Sequence, residues 1–365
     1  MAIRGQGVVS REPKQPALVE EMTIDDPGPG EVLVRIRASG VCHTDLHVKM
    51  GTWPGFPFLL GHEGAGVVEK VGDGVTRPAV GDHVILAWRA PCGDCRFCLV
   101  GQPHLCAASL NAEKRMRGHD GAVLNPVLGI GTFCTHTVVA ARQAVPVPKE
   151  LPPEQMCLIG CGVMTGVGAV FNSAQVKPGT SVAVFGCGGV GTSVIQGARL
   201  ARATTIIGVD VDPRKLGWAE EIGATHVVDA RAGDPVKRIK EITGGNGVNY
   251  SFEAVGRSET LLQALWSRDL AGTCVLIGVP GPGPVMNLPM QQFFDLGGAL
   301  RVSWYGDCLP TRDFPMLAEW YRTGQLKLDY PVVTQTITLD QTEEAFAAME
   351  RGETLRSVVR IPDPS

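Results

Sequence analysis

One stretch, residues 181–202, constrains this chain more than any other. Ser181-Val182-Ala183-Val184-Phe185 reads as a short buried strand, Gly186-Cys187-Gly188-Gly189-Val190-Gly191 as a G-x-G-x-x-G turn, and Thr192 to Arg202 as a helix carrying Ala and Leu. The same alternation continues. Thr205–Asp210 reads as a second strand, Arg214–Ile222 as a helix and Thr225–Val228 as a third strand, with further strands at Val248–Glu253 and Thr273–Val279. Alternating strands and helices of these lengths imply a doubly wound parallel sheet.

The glycines have separable tasks. Gly186 permits the tight turn, Gly188 lets a pyrophosphate approach the backbone, and Gly191 lets helix and strand pack closely. Gly189 and Val190 complete the turn ahead of the helix, whose first N–H groups lack partners and suit a phosphate. Asp210 ends the next strand, nineteen residues past Gly191. A carboxylate there accepts from both ribose hydroxyls and repels a 2′-phosphate, so NAD is expected rather than NADP.

Before residue 160 the texture differs. Val32, Val34 and Ile36 alternate with polar residues, and Gly66–Gly72 and His83–Leu86 read as further strands, so this region is expected to form a partly open β-barrel. After about Val302 the pattern is mixed again, with helices at Phe314–Arg322 and Thr342–Arg351, which suggests that the tail closes the first domain. With 44% hydrophobic and 19% charged residues the chain has the composition of a globular protein. Its formal charge of −4, with no basic run, argues against nucleic acid or an anionic membrane as partners. Neither a spanning apolar run nor a signal peptide is read from the sequence, so a cytoplasmic location is expected.

Eleven cysteines, an odd number, then point to metal or thiolate chemistry rather than disulfides. Four of them, Cys92, Cys95, Cys98 and Cys106, lie within fifteen residues. Tetrahedral S4 coordination of a structural zinc is the expected use. An iron–sulfur cluster competes, but the x7 gap and the lack of a following Cys-Pro weigh against it.

Three further segments carry possible ligands: Gly40-Val41-Cys42-His43-Thr44-Asp45-Leu46-His47, Gly61-His62-Glu63-Gly64 and Gly160-Cys161-Gly162. Spacing alone does not join them. Their order with the cysteine cluster and the glycine-rich turn resembles the zinc-dependent medium-chain alcohol dehydrogenases, over essentially the whole chain. The resemblance implies a GroES-like catalytic domain from residues 1–158 and 302–365, with a structural-zinc lobe at about 90–110, and a Rossmann NAD-binding domain at 159–301. It implies two zinc ions per subunit, the catalytic one held by Cys42, His62 and Cys161 with a fourth position open. Glu63 then resembles a carboxylate that can approach the metal, and Asp45 the partner that fixes the His62 ring.

The resemblance also implies that Thr44 takes the substrate proton and passes it through the cofactor ribose to His47 and water. Lys215 would line the ribose beside Asp210. Arg356 and His43 would face the pyrophosphate, Val279 and Val190 the nicotinamide, and Thr165 the ring edge. Within the family, Trp88–Arg96, Leu128–Phe133, Gly160–Met164 and Ser303–Pro310 resemble the mycothiol-dependent formaldehyde dehydrogenases. Those oxidise S-hydroxymethylmycothiol and resemble reductases of S-nitrosomycothiol. Arg89, Lys114, Arg115 and Arg117 are the cations expected near such a substrate. A homo-oligomer is expected. The alternatives are a zinc dehydrogenase of ordinary primary or allylic alcohols, and a non-catalytic nucleotide-binding relative.

Overall fold

The computed structural model describes residues 2–281 and 283–362. The chain forms two compact units, Met1–Cys161 with Leu309–Ser365, and Gly162–Cys308.

Two sheets build the first unit. The larger has seven strands: Ala144–Val147, His83–Leu86, Gly64–Val71, Glu31–Gly40, Arg356–Arg360 and Val333–Ile337 in spatial order, with His136–Ala140 added beside Glu31–Gly40. The smaller orders Met116–Gly118, Leu18–Ile24, Ile3–Ser10, Phe58–Leu59 and Asn125–Pro126. Glu31–Gly40 is the spine of the larger sheet. One of its edges pairs with Gly64–Val71, placing Val34 opposite Val68. The other edge is shared: Glu31–Arg35 pairs with His136–Ala140, and Ala38–Gly40 with Val358–Arg360.

The alternation of Val32, Val34 and Ile36 therefore understates the burial. Leu33 is as enclosed as its neighbours, and only Arg35 and Arg37 reach partway out. A strand paired along both edges loses its solvent side to the elements packed on it. The tail does close this unit. Helix Thr342–Glu350 contributes Ala345 and Phe346 to the apolar core, where Phe346 meets Phe133 with ring centroids 6.4 Å apart.

In the second unit six parallel strands run in the order His226–Asp229, Thr205–Asp210, Ser181–Phe185, Val248–Glu253, Arg268–Leu276, Ala299–Val302. The chain starts in the middle, moves outward one way, then returns to build the other side. The order reverses between Ser181–Phe185 and Val248–Glu253, where doubly wound sheets place their ligands. Helix Gly189–Leu200 follows the first strand directly, and its residues Gly191–Ala198 are buried.

A helix of 22 residues, Pro153–Ala174, carries the chain from the first unit into the second. By length and hydropathy it could cross a bilayer, contrary to the expectation that no such segment exists, but 78% of its most apolar window is buried within the protein. Such burial is that of a core helix. Its winding widens to π-type turns at Ile159–Val163 and Ala169–Ala174, a local irregularity that often marks a functional position. Cys161 lies in the first of them.

Candidate metal centres and dinucleotide site

Cys42 ends the approach to helix His43–Lys49, and its extended backbone (φ −132°, ψ 151°) places it at the helix N-cap. His62 and Glu63 precede strand Gly64–Val71, and Cys161 comes from the widened helical turn. One ligand atom from each of Cys42, His62, Glu63 and Cys161 lies within 4.8 Å of the others. His62 and Glu63 are fully buried.

Buried donors this close shift each other's protonation. The Cys42 thiol is held well below its usual range, chiefly because Cys161 hydrogen-bonds to it and His62 lies near. Cys161 is correspondingly pushed up, by that same bond and by burial. Burial alone would lower His62, but Asp45 and Cys42 outweigh it and hold its imidazole well above the usual range. Asp45 is buried, with Oδ2 3.1 Å from His62 Nδ1 and Oδ1 accepting from the Gly61 N–H at 2.8 Å. The Asp45 carboxylate thus lies against the Nδ1 side of the ring.

His62 Nε2 and Glu63 Oε1 are buried atoms with no hydrogen-bond partner among the described residues. Unsatisfied buried polar atoms are costly and call for an explanation. A cation shared by Cys42, His62 and Cys161 supplies one, and sulfur with imidazole is a donor set that suits zinc. The site fits the metal.

The other oxygen of Glu63 pairs with Arg356, which is buried on strand Arg356–Arg360. Burial raises Glu63 to about 7, against the opposing pull of Arg356. Arg356, expected to face the pyrophosphate, donates through Nη2 to Glu63. Thr44 Oγ1 lies 3.9 Å from Cys42 Sγ, and His43 and His47 are exposed on the same short helix.

The four clustered cysteines also converge, with one Sγ from each of Cys92, Cys95, Cys98 and Cys106 within 4.8 Å of the rest. Backbone N–H groups point at the sulfurs: Cys92 and Ser109 donate to Cys106 Sγ at 3.3 and 3.4 Å, and Cys95 donates to Cys92 Sγ at 3.3 Å. Burial opposes ionisation of Cys106, but the Cys92 and Ser109 N–H groups outweigh it and bring the thiol down to about 6. Cys95 is likewise lowered, by backbone N–H groups, whereas Asp94 pushes Cys92 up and burial pushes Cys98 up. A closed set of four sulfurs matches a structural metal.

Of the cations expected near a substrate, Arg115 pairs with Glu31 and Glu113, Arg117 with Asp25, and Arg89 donates to the His104 and Cys106 carbonyls. Lys114 is exposed.

In the second unit Gly186 has φ +92°, which favours glycine, and a Cβ there would run into Val255. A Cβ on Gly191 would collide with the Gly186 carbonyl oxygen, whereas one on Gly188 meets nothing within 4 Å. Packing therefore dictates glycine at 191 but leaves an open cradle over 188, beside the first turn of helix Gly189–Leu200. That space fits a pyrophosphate. Asp210 holds the turn in place, its Oδ2 accepting from the Cys187 N–H at 2.8 Å and its Oδ1 from Val211 and Asp212. Val190, Lys215 and Thr165 are half-buried, and Val279 is exposed.

Two features escaped the sequence reading. The Glu63–Arg356 pair spans 293 positions and has no local signature. Glu253, a buried acid at the end of an apolar strand, accepts from the Val255 and Gly256 N–H groups and the Thr260 hydroxyl, and so shapes the turn that packs on Gly186. An acid closing such a strand ahead of Ala-Val-Gly was the available cue.

Residues 28–149 match the alcohol dehydrogenase GroES-like domain and residues 189–323 the zinc-binding dehydrogenase domain. An S-(hydroxymethyl)glutathione dehydrogenase of Escherichia coli is 37% identical over 98% of this chain and 100% of its own length. Among solved structures, an alcohol dehydrogenase zinc-binding domain protein from Burkholderia ambifaria superposes with a TM-score of 0.95 at 36% identity, covering 99% of this chain and 100% of that one. Benzyl alcohol dehydrogenase from Acinetobacter calcoaceticus superposes with a TM-score of 0.92 at 31% identity, with the same coverage. On these grounds, this chain belongs to the zinc-dependent medium-chain alcohol dehydrogenase family.

Proposed function

We propose that this protein is an NAD-linked zinc dehydrogenase that oxidises the S-hydroxymethyl adduct of formaldehyde and a low-molecular-weight thiol, and that the thiol is mycothiol. The observation that carries the enzymatic reading is the convergence of Cys42, His62 and Cys161 around a buried, unsatisfied His62 nitrogen. The E. coli relative named for S-(hydroxymethyl)glutathione supports the adduct class. The segments Trp88–Arg96, Leu128–Phe133, Gly160–Met164 and Ser303–Pro310 support mycothiol by their resemblance to enzymes that use it.

Zinc would supply Lewis acidity that lowers the pKa of a substrate hydroxyl, and NAD would supply the hydride acceptor. Cys42, His62 and Cys161 are the residues that would hold the catalytic ion, and Cys92, Cys95, Cys98 and Cys106 the structural one. Asp45 orients the His62 ring. Thr44 Oγ1 accepts the substrate proton. His47, three residues further along the same helix and exposed to water, is the proton's exit. Gly188 and the first turn of helix Gly189–Leu200 seat the pyrophosphate, Asp210 the adenosine ribose with Lys215 beside it, and Thr165, Val190 and Val279 the nicotinamide.

The test is formaldehyde-dependent NADH formation with mycothiol, with glutathione and with no thiol. Mycothiol alone should support the full rate. Preference for glutathione would overturn the choice of thiol, and equal rates on simple alcohols without any thiol would overturn the adduct reading.

A further inference from the structure

Two arginines outside the four-cysteine loop aim at its backbone. Arg142, in the turn after strand His136–Ala140, donates from Nη1 to the carbonyls of Pro91 at 2.6 Å and Cys92 at 3.1 Å. Arg89, just before the loop, donates from Nη2 to the carbonyls of His104 at 3.1 Å and Cys106 at 2.9 Å. Cys92 and Cys106 are the first and last cysteines of the set, so each end of the loop is gripped at a ligand residue by a guanidinium from a different place in the chain. The two ends also meet through the Cys92 N–H and Cys106 Sγ.

We infer that Arg89 and Arg142 are positioning residues for the four-cysteine metal centre, which they hold in shape and whose charge they balance. The inference rests on the zinc reading of that cluster. Four thiolates around a divalent ion carry an excess of two negative charges, and the two guanidiniums supply the opposite charge from the carbonyl side. Within the loop the formal charges of Asp94 and Arg96 sum to zero. A forked guanidinium is suited to this task because it spans two carbonyls at once while keeping its charge at any working pH. It also explains Arg89, which the sequence had placed near the substrate and the structure commits to the lobe.

The experiment follows zinc release from the purified holoprotein to a chromophoric chelator. The Cys42→Ala variant assigns the release phases, because it should retain only the lobe metal. Arg89→Gln and Arg142→Gln should each release the lobe zinc about 10-fold faster or more, the scale of losing a metal's supporting partner, with the other phase unchanged. Arg142→Lys, which keeps the charge but loses the planar donor geometry, should recover part of the wild-type rate and so separates charge from shape. Arg142 is exposed, so its variants test the idea without disturbing the core. A wild-type lobe phase in the double variant would overturn the inference, as would equal acceleration of both phases. A wild-type protein with no zinc assignable to the lobe would overturn the metal reading itself, and the inference with it.

Discussion

Arg356 and Glu63 form a buried ion pair across 293 positions of the chain, on strands that both belong to the larger sheet or lead into it. Glu63 is fully enclosed and Arg356 nearly so, so each charge depends on the other. Glu63 keeps its second oxygen buried among the proposed zinc ligands. The guanidinium is thus part of the charge balance of that centre, although it lies outside the ligand set.

Removing one member should expose this dependence. Arg356→Met is expected to cost about 3–5 kcal/mol of stability by leaving Glu63 buried and unpaired. Adding Glu63→Gln should restore a substantial part of it. Urea unfolding of the two single variants and the double variant measures the coupling; additive losses would show that the pair is not a unit.

Cys42→Ala and Cys161→Ala should each remove one zinc per chain and lower turnover by at least about 1,000-fold, several kcal/mol of barrier. NAD affinity should stay within about 3-fold, because the dinucleotide contacts proposed above come largely from the other compact unit. Metal analysis and fluorescence titration with NADH read these separately. Retained turnover would reject the ligand assignment.

The glycine-rich turn offers a contrast between packing and binding. Gly188→Ala places a methyl in open space, so the melting temperature should hold while NAD affinity falls about 10-fold or more, ~1.4 kcal/mol. Gly191→Ala drives a methyl onto the Gly186 carbonyl and should destabilise the fold by about 1–3 kcal/mol even without nucleotide. If Gly188→Ala bound NAD normally, the cradle would have another purpose.

Asp210→Asn keeps an acceptor for the turn while removing the charge that would repel a 2′-phosphate. The ratio of kcat/KM for NAD to that for NADP should fall about 100-fold, ~2.7 kcal/mol. An unchanged ratio would show that Asp210 serves only its three backbone partners.

Local features were the legible ones. The order strand, glycine turn, helix, strand, acid lies within thirty residues and follows from period and turn chemistry, and the structure builds it as the centre of the parallel sheet. Clustering within one short loop likewise made Cys92 to Cys106 readable as a set. Cys42, His62 and Cys161 come from an N-cap, a strand entry and a widened helical turn, and no local rule links those settings; only family resemblance joined them. Arg356 and Arg142 were missed as partners of the metal centres because a surface-type residue in a strand or turn carries no mark of what it will touch. The apolar run at 153–174 was passed over. Its apolarity reflects burial on all sides by protein, which a hydropathy count cannot tell from burial in lipid.

The shared edge of the spine strand has a consequence for synthesis. Because Ala38–Gly40 waits for Val358–Arg360, a ribosome must deliver the whole inserted dinucleotide unit before the first unit can complete its sheet or neutralise Glu63. The inserted unit, contiguous in sequence, can fold while the first is still open, so the nascent chain should become competent for nucleotide before it becomes competent for chemistry.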